Sequence, residues 1–311
     1  MESNTSAIQE KPIRWNLINR VMDNPIITKE LKGRMRGRQG FILLTAYLSL
    51  LSLVIASVYW YNAWDNDMTR ISAYELEELG KLIFHTVVLL EFLLVSFIGP
   101  SLTTGAISSE RERGTFDLLR TTLLSSSSLI FGKLGASVAY LLLLIFAALP
   151  LQSLAFLLGG VAPGEMIISL VMLTTSTLLF CTLGIYFSGI ARKTSTANAF
   201  AYGSMFAPVT IGGILYYLLI NNEFDFSSAS PEVQVIIIVV IWILLSINPL
   251  TAAMVSEIVL EEEQSLLRFT ISNPDFTFSI LSPWIYYTIF SLTLTFLMIW
   301  LIVFYLNRYE K

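Results

Sequence analysis

Seven long stretches of this chain carry almost no charge, and that feature limits the fold more than any other. They run Phe41–Tyr61, Leu82–Ser109, Leu134–Leu158, Met166–Ile190, Thr194–Ile220, Val233–Ser256 and Phe276–Leu306. A helix needs about 20 such residues to cross the hydrocarbon core of a bilayer. Six stretches meet that length. In Val233–Ser256 the run ahead of Asn248-Pro249 is too short, and the proline breaks the helix at that point. A core surrounded by water does not account for the pattern. The chain is 55% apolar and 14% charged, where a soluble domain has about 25% charged residues. The sequence predicts an all-α integral membrane protein.

Basic residues mark the cytoplasmic ends of spans. Residues 11–38 hold Lys11, Arg14, Arg20, Lys29, Lys32, Arg34, Arg36 and Arg38. Arg111, Arg113, Arg120 and Lys133 follow the second stretch, Arg192 and Lys193 the fourth, and Arg308 and Lys311 the last. Alternate loops are acidic, among them Glu75, Glu77 and Glu78, then Glu165, then Glu257 and Glu261–Glu263. The alternation places both termini in the cytoplasm. If Val233–Ser256 crossed fully, Glu261–Glu263 would lie inside and Arg308 outside, against the charge rule. Residues 234–256 are therefore expected to form a re-entrant or broken element on the outer side. The six expected spans are about 41–61, 82–107, 129–158, 166–190, 197–220 and 283–306, in one transmembrane domain over 40–308. Residues 1–12 are expected to be flexible, and 309–311 form a cytoplasmic tail. Trp60, Tyr61, Trp64, Tyr216, Tyr217, Trp284, Tyr286 and Tyr287 suit the outer headgroup level, and Tyr305 and Tyr309 the inner. The segment before Phe41 has no apolar core of the secretory-signal kind. One cysteine, Cys181, allows no disulfide within the chain.

Residues 13–39 read as a cytoplasmic interfacial helix. Asn24-Pro25 suits an N-cap followed by proline at the first helical position. Ile27, Leu31 and Met35 share a face, and Glu30 and Arg34 form an i,i+4 pair. Lys29, Lys32, Arg34, Arg36 and Arg38 suit contact with anionic lipid. The same residues also fit a plain topology signal. The patch is short and adjoins a span, which argues against nucleic acid.

Residues 91–134 hold the densest set of motifs. Ser109-x-x-Glu112 is expected to be a capping box that opens a short helix at about 109–120. Glu110, Arg111, Glu112 and Arg113 mix both signs. Gly114 and Thr115 interrupt, and Phe116, Leu118 and Leu119 add apolar teeth. Such a helix suits a groove on a soluble partner; a surface connector without a partner has the same composition. The ordered set Pro100, Ile107, Glu110, Arg111, Glu112, Gly114, Thr115, Leu118, Leu119, Gly132 and Lys133 resembles the ABC-2-type permease family. So do the N-terminal NPIITKELKGRMRGR and Asn248–Leu250. Leu123 and Ser126 depart from the family pattern, where many relatives have proline.

The resemblance implies that residues 109–120 form a coupling helix. Glu110, Arg111, Glu112, Arg113, Gly114, Thr115, Phe116, Leu118 and Leu119 would then seat on an ABC ATPase subunit. The interfacial helix, with Lys29, Glu30, Lys32, Arg34, Arg36 and Arg38, would contact the same subunit. It also implies a second permease copy or paralogue, ATP-driven export, and a prokaryotic plasma (inner) membrane. The chain has no G-x-x-x-x-G-K-[ST] loop. Gly132-Lys133 lacks the earlier glycine and the following hydroxyl. No cofactor or catalysis is expected in this chain, and ATP and Mg belong to the partner subunit.

Glu91 lies at mid-depth in the second stretch, and His85, the one histidine, near its outer end. An ionisable group in a span lines a path or is held by hydrogen bonds. Six residues apart, the two face different ways and make no metal site. The hydroxyls of Thr174–Thr177 and Ser125–Ser128 are expected to bond within or between helices. Gly132, Gly135, Ala136 and Ala139, with Ala197, Ala201, Gly203 and Ala207, permit close helix contact. A stand-alone secondary transporter or channel is the alternative; more intramembrane charge and an internal repeat would favour it. An intramembrane hydrolase would need a nucleophile–base or metal constellation, which one histidine and one cysteine do not supply.

Overall fold

The computed structural model describes residues 25–35, 38–65, 72–115, 126–220, 230–263, 265–273 and 276–309. Helix α1 (Pro25–Met35) leads to α2 (Arg38–Asp65) and α3 (Ala73–Thr103), which passes through one residue into a short α4 (Gly105–Glu112). Then come α5 (Ser126–Leu157), α6 (Pro163–Ile190), α7 (Thr194–Ile220), α8 (Pro231–Ile247) and α9 (Pro249–Glu263). Strands β1 (Arg268–Asn273) and β2 (Phe276–Leu281) precede α10 (Pro283–Tyr309). Six segments are long and apolar enough to cross a membrane: Gly40–Asn62, Ala73–Glu112, Ser127–Leu157, Pro163–Ile190, Thr194–Leu219 and Pro283–Arg308. The all-α membrane architecture expected from the charge-poor stretches is the one present.

Helix α6 is the most buried of the six and packs against α3, α5, α7 and α10. It is apolar all round, which suits a helix enclosed by others. In lipid, close packing between helices replaces the hydrophobic drive of a soluble core. The tightest approach is between α6 and α3 at Gly184. A Cβ there would overlap Thr103 Oγ1 and come within 3.2 Å of Pro100 Cα. The main core joins Leu51, Val87, Leu141, Ile185 and Ile302 from five helices. A second cluster gathers Phe92, Ile145 and Phe180.

Within the described residues α1 covers Pro25–Met35 and lies against α5, and Asn24, the expected N-cap, lies outside them. Leu31 packs on the main core, and Ile27 sits over Gly135, where a Cβ would approach to 3.1 Å. Lys29, Lys32 and Arg38 are exposed. Residues 13–24 and Arg36 lie outside the described residues. The small residues Ala136, Ala197 and Ala201 are buried within the chain, whereas Gly203 faces open space.

The segment 234–256 forms part of α8 and α9, which meet at Asn248 with a bend of 120°. At about 1.5 Å per residue neither arm alone covers a hydrocarbon core about 30 Å thick. Asn248 joins the arms. Its Oδ1 accepts from Leu250 N at 2.9 Å, which caps α9, and its Nδ2 donates to Val209 O on α7 at 3.1 Å. Gly212 makes room for it: a Cβ there would lie 2.5 Å from Asn248 Nδ2.

The β-hairpin is a departure from the expected all-helical outer side. Its register pairs Arg268 with Leu281 and Asn273 with Phe276. The signal was present in Phe-Thr-Ile-Ser-Asn and Phe-Thr-Phe-Ser-Ile, which alternate around Asn273-Pro274-Asp275. Apolar content alone merged the second strand with the last span. Trp242 of α8 ties the hairpin down. Its Nε1 donates to Leu281 O at 2.9 Å, and its ring stacks on Phe269 at 5.3 Å.

Gly184→Val should destabilise the fold by about 1–3 kcal/mol through overpacking against α3. Gly203→Ala should be neutral. Thermal unfolding in lipid nanodiscs, comparing the two variants with the wild type, reads the difference.

Candidate functional site

Helix α3 passes into α4 at Thr104, whose own backbone stays right-handed helical (φ −64°, ψ −27°). A new helix start leaves its first N–H groups without intrahelical acceptors. Thr104, the N-cap, does not cap with its side chain; its hydroxyl donates to Asn198 Oδ1 of α7. The orphan donors are met from α6 instead. Ser188 Oγ accepts from Ile107 N at 2.8 Å and from Ser108 N at 3.0 Å. Ser188 and Ser108 are fully buried.

The charged end of α4 grips the α6–α7 turn. Arg111 Nη1 donates to Ala191 O, the C-cap carbonyl of α6, at 3.3 Å. Glu112 accepts from Thr194 N at 2.9 Å and from Thr194 Oγ1 at 3.0 Å, at the first residue of α7. A cation therefore meets a helix C-terminus and an anion meets a helix N-terminus, each matching the helix dipole. Ser108 Oγ lies 3.0 Å from Thr194 Oγ1 and adds a third tie. From α5, Lys133 Nζ donates to Ala106 O and stands 3.9 Å from Glu110.

Gly114 and Thr115 then end the helix. Gly114 has φ +69°, a left-handed conformation that glycine adopts without Cβ strain. Gly114 N donates to Arg111 O and Thr115 N to Glu110 O, the paired bonds of a Schellman cap. Thr115 Oγ1 also donates to Glu110 Oε2 at 2.5 Å. Glu-Arg-Glu-x-Gly-Thr is thus a helix stop. Among the described residues a short helix occupies Gly105–Glu112, with Ser109 inside it, bonding Gly105 O, and residues 116–120 of the expected 109–120 helix lie outside them. The expected capping box at Ser109-x-x-Glu112 is absent because Glu112 serves α7. A true box occurs at Ser72-x-x-Glu75, where Ser72 itself is extended; Glu75 N donates to Ser72 Oγ at 3.3 Å and Ser72 N to Glu75 Oε2 at 2.7 Å. Glu112, Arg113 and Gly114 are exposed, and Phe116, Leu118 and Leu119 lie outside the described residues.

The family model for ABC-2 family transporter proteins matches residues 24–309. The chain belongs to that family. The permease is thus a membrane component of an ABC transporter, a class that works with an ABC ATPase. No curated protein matches it.

Two other polar residues of the permease have partners that spacing in the sequence does not announce. Glu91 is 1% exposed, and Gln152 Nε2 of α5 donates to its Oε2 at 2.8 Å. Glu91 Oε1 has no hydrogen-bond partner among the described residues. His85 Nε2 donates to Glu257 Oε1 of α9 at 2.6 Å. Glu91 and His85 do not share a site. The hydroxyls of Thr175, Ser176 and Thr177 bond carbonyls one turn back, and Ser176 also meets Tyr287 OH at 2.7 Å.

Glu91→Leu strands the buried Gln152 amide and should reduce stability by about 0.5–2 kcal/mol. Glu91→Gln, which keeps a hydrogen bond, should lose less. The double variant Glu91→Leu/Gln152→Leu should recover most of the loss. Unfolding midpoints in nanodiscs measure all three.

Proposed function

We propose that this permease forms the translocation path of an ATP-driven exporter as a dimer, as a homodimer or with a paralogue. A separate ATPase polypeptide binds ATP and Mg and acts on the end of α4. The observation that carries this reading is the double grip of Arg111 on α6 and Glu112 on α7. A force applied to the exposed Arg113–Gly114 end reaches two spanning helices at once, and α3 through Thr104. The interfacial helix α1, resting on α5 with Lys29 and Lys32 outward, offers the ATPase a second contact. The clustering of basic residues beside this surface supports a cytoplasmic location for it and for both termini, in a prokaryotic plasma membrane.

The test is co-purification with the cognate ATPase in lipid nanodiscs. The wild type should form a stoichiometric complex with ATPase activity. Arg113→Glu combined with Leu118→Asp should weaken association by about tenfold or more. Glu112→Ala should leave association intact and reduce the stimulation of ATP hydrolysis by the permease. A chain that transports while purified alone, or an ATPase that binds the double variant as tightly, would overturn the reading.

A further inference from the structure

The bend at Asn248 lays α9 beside α3 and α6, and the three helices line a half-open cavity of about 320 Å³. That volume lies at the lower end of the range for small-molecule sites, about 300–1,000 Å³. Its walls are apolar, among them Phe92, Met172, Leu173, Leu250 and Met254. Charge is confined to one end, where Glu165, His85 and Glu257 converge from α6, α3 and α9. Along α6 the lining extends from Glu165 to Ser176, about 16 Å at the helical rise. The cavity is therefore elongated, with a polar mouth and a greasy interior. One wall belongs to a broken helix, an arrangement used for substrate sites in other transporters.

The sign of the mouth decides what it takes. Two carboxylates line it against one imidazole, and His85 occupies one oxygen of Glu257. The first turns of α3 add Glu75, Glu77 and Glu78 on the same side, and Lys81 is the basic residue among them. Low-dielectric walls strengthen the pull of these carboxylates on a cation and penalise an anion.

We propose that this cavity binds a small cationic amphiphile, with a protonated amine at Glu165 and Glu257 and an apolar body lying inward past Met172 to Phe92. This deepens the permease reading, on which it rests for any role in transport; binding itself belongs to the chain alone. The test titrates the purified chain, in phosphatidylcholine nanodiscs, with monodansylcadaverine and with its uncharged N-acetyl derivative, followed by dansyl fluorescence. The amine should bind saturably and about tenfold or more tighter than the acetylated form. Glu165→Gln/Glu257→Gln should abolish that preference while leaving the weaker neutral binding within about twofold. Met172→Trp, which fills the interior, should weaken both ligands. Equal binding of the two ligands would overturn the proposal. So would a preference that survives the double glutamine variant, or a signal no greater than that of empty nanodiscs. ATPase association of the double glutamine variant is read in parallel. Retained association with lost preference supports the site, and a wild-type preference in a chain that joins no ATPase still supports it while contradicting the partner reading.

Discussion

A backbone N–H or C=O left unpaired in hydrocarbon costs several kcal/mol, and among the described residues two helix junctions, at Thr104 and Asn248, lie in or beside the apolar layer. At one the repair comes from a side chain of a neighbouring span, at the other from the side chain at the break itself. At Thr104 the donors freed at the start of α4 are met by Ser188 of α6. At Asn248 one side chain caps α9 and reaches the Val209 carbonyl of α7. Each repair fixes the position of a broken element relative to an intact one. The α3–α4 junction on one side and the cavity wall on the other result from that requirement.

At the α3–α4 junction the repair is reinforced by charge. Arg111 and Glu112 each meet a helix end of matching dipole, an interaction worth about 0.3–1 kcal/mol at an exposed site. Singly these are small. Acting on adjacent ends of α6 and α7 they stop α4 from sliding, and Ser108, Thr104 and Lys133 add further ties to α5, α6 and α7. The other side of the molecule has its own ties, among them Ser256 Oγ of α9 accepting from Trp284 N of α10 at 3.0 Å. There α9 meets α3 through the pairing of His85 with Glu257 and leaves apolar space beneath.

The spans were legible because a bilayer demands long apolar runs, and nothing else in a sequence looks like them. The helix break at Asn248-Pro249 was legible because proline lacks an N–H. The start of α4 was not, since Ser-x-x-Glu occurs both at Ser72 and at Ser109 and caps only where the serine itself is not helical. The hairpin was hidden by its own hydrophobicity, although its alternation and the intervening Asn-Pro-Asp sequence were in view. The partners of His85, Glu91, Arg111 and Glu112 lie between 61 and 172 positions away in sequence. No local pattern encodes such pairs; they exist only once the spans are packed.

The central claim is that α4 and the α6–α7 turn move as one body when an ATPase acts on them. Spin labels at the exposed positions Arg113 and Lys193 would report it by pulsed electron–electron resonance in the assembled transporter. The account predicts one narrow intrachain distance that is the same without nucleotide and with ATP trapped, while the Arg113–Arg113 distance between the two permease copies changes. An intrachain distance that shifts by several ångströms or splits on ATP binding would contradict it.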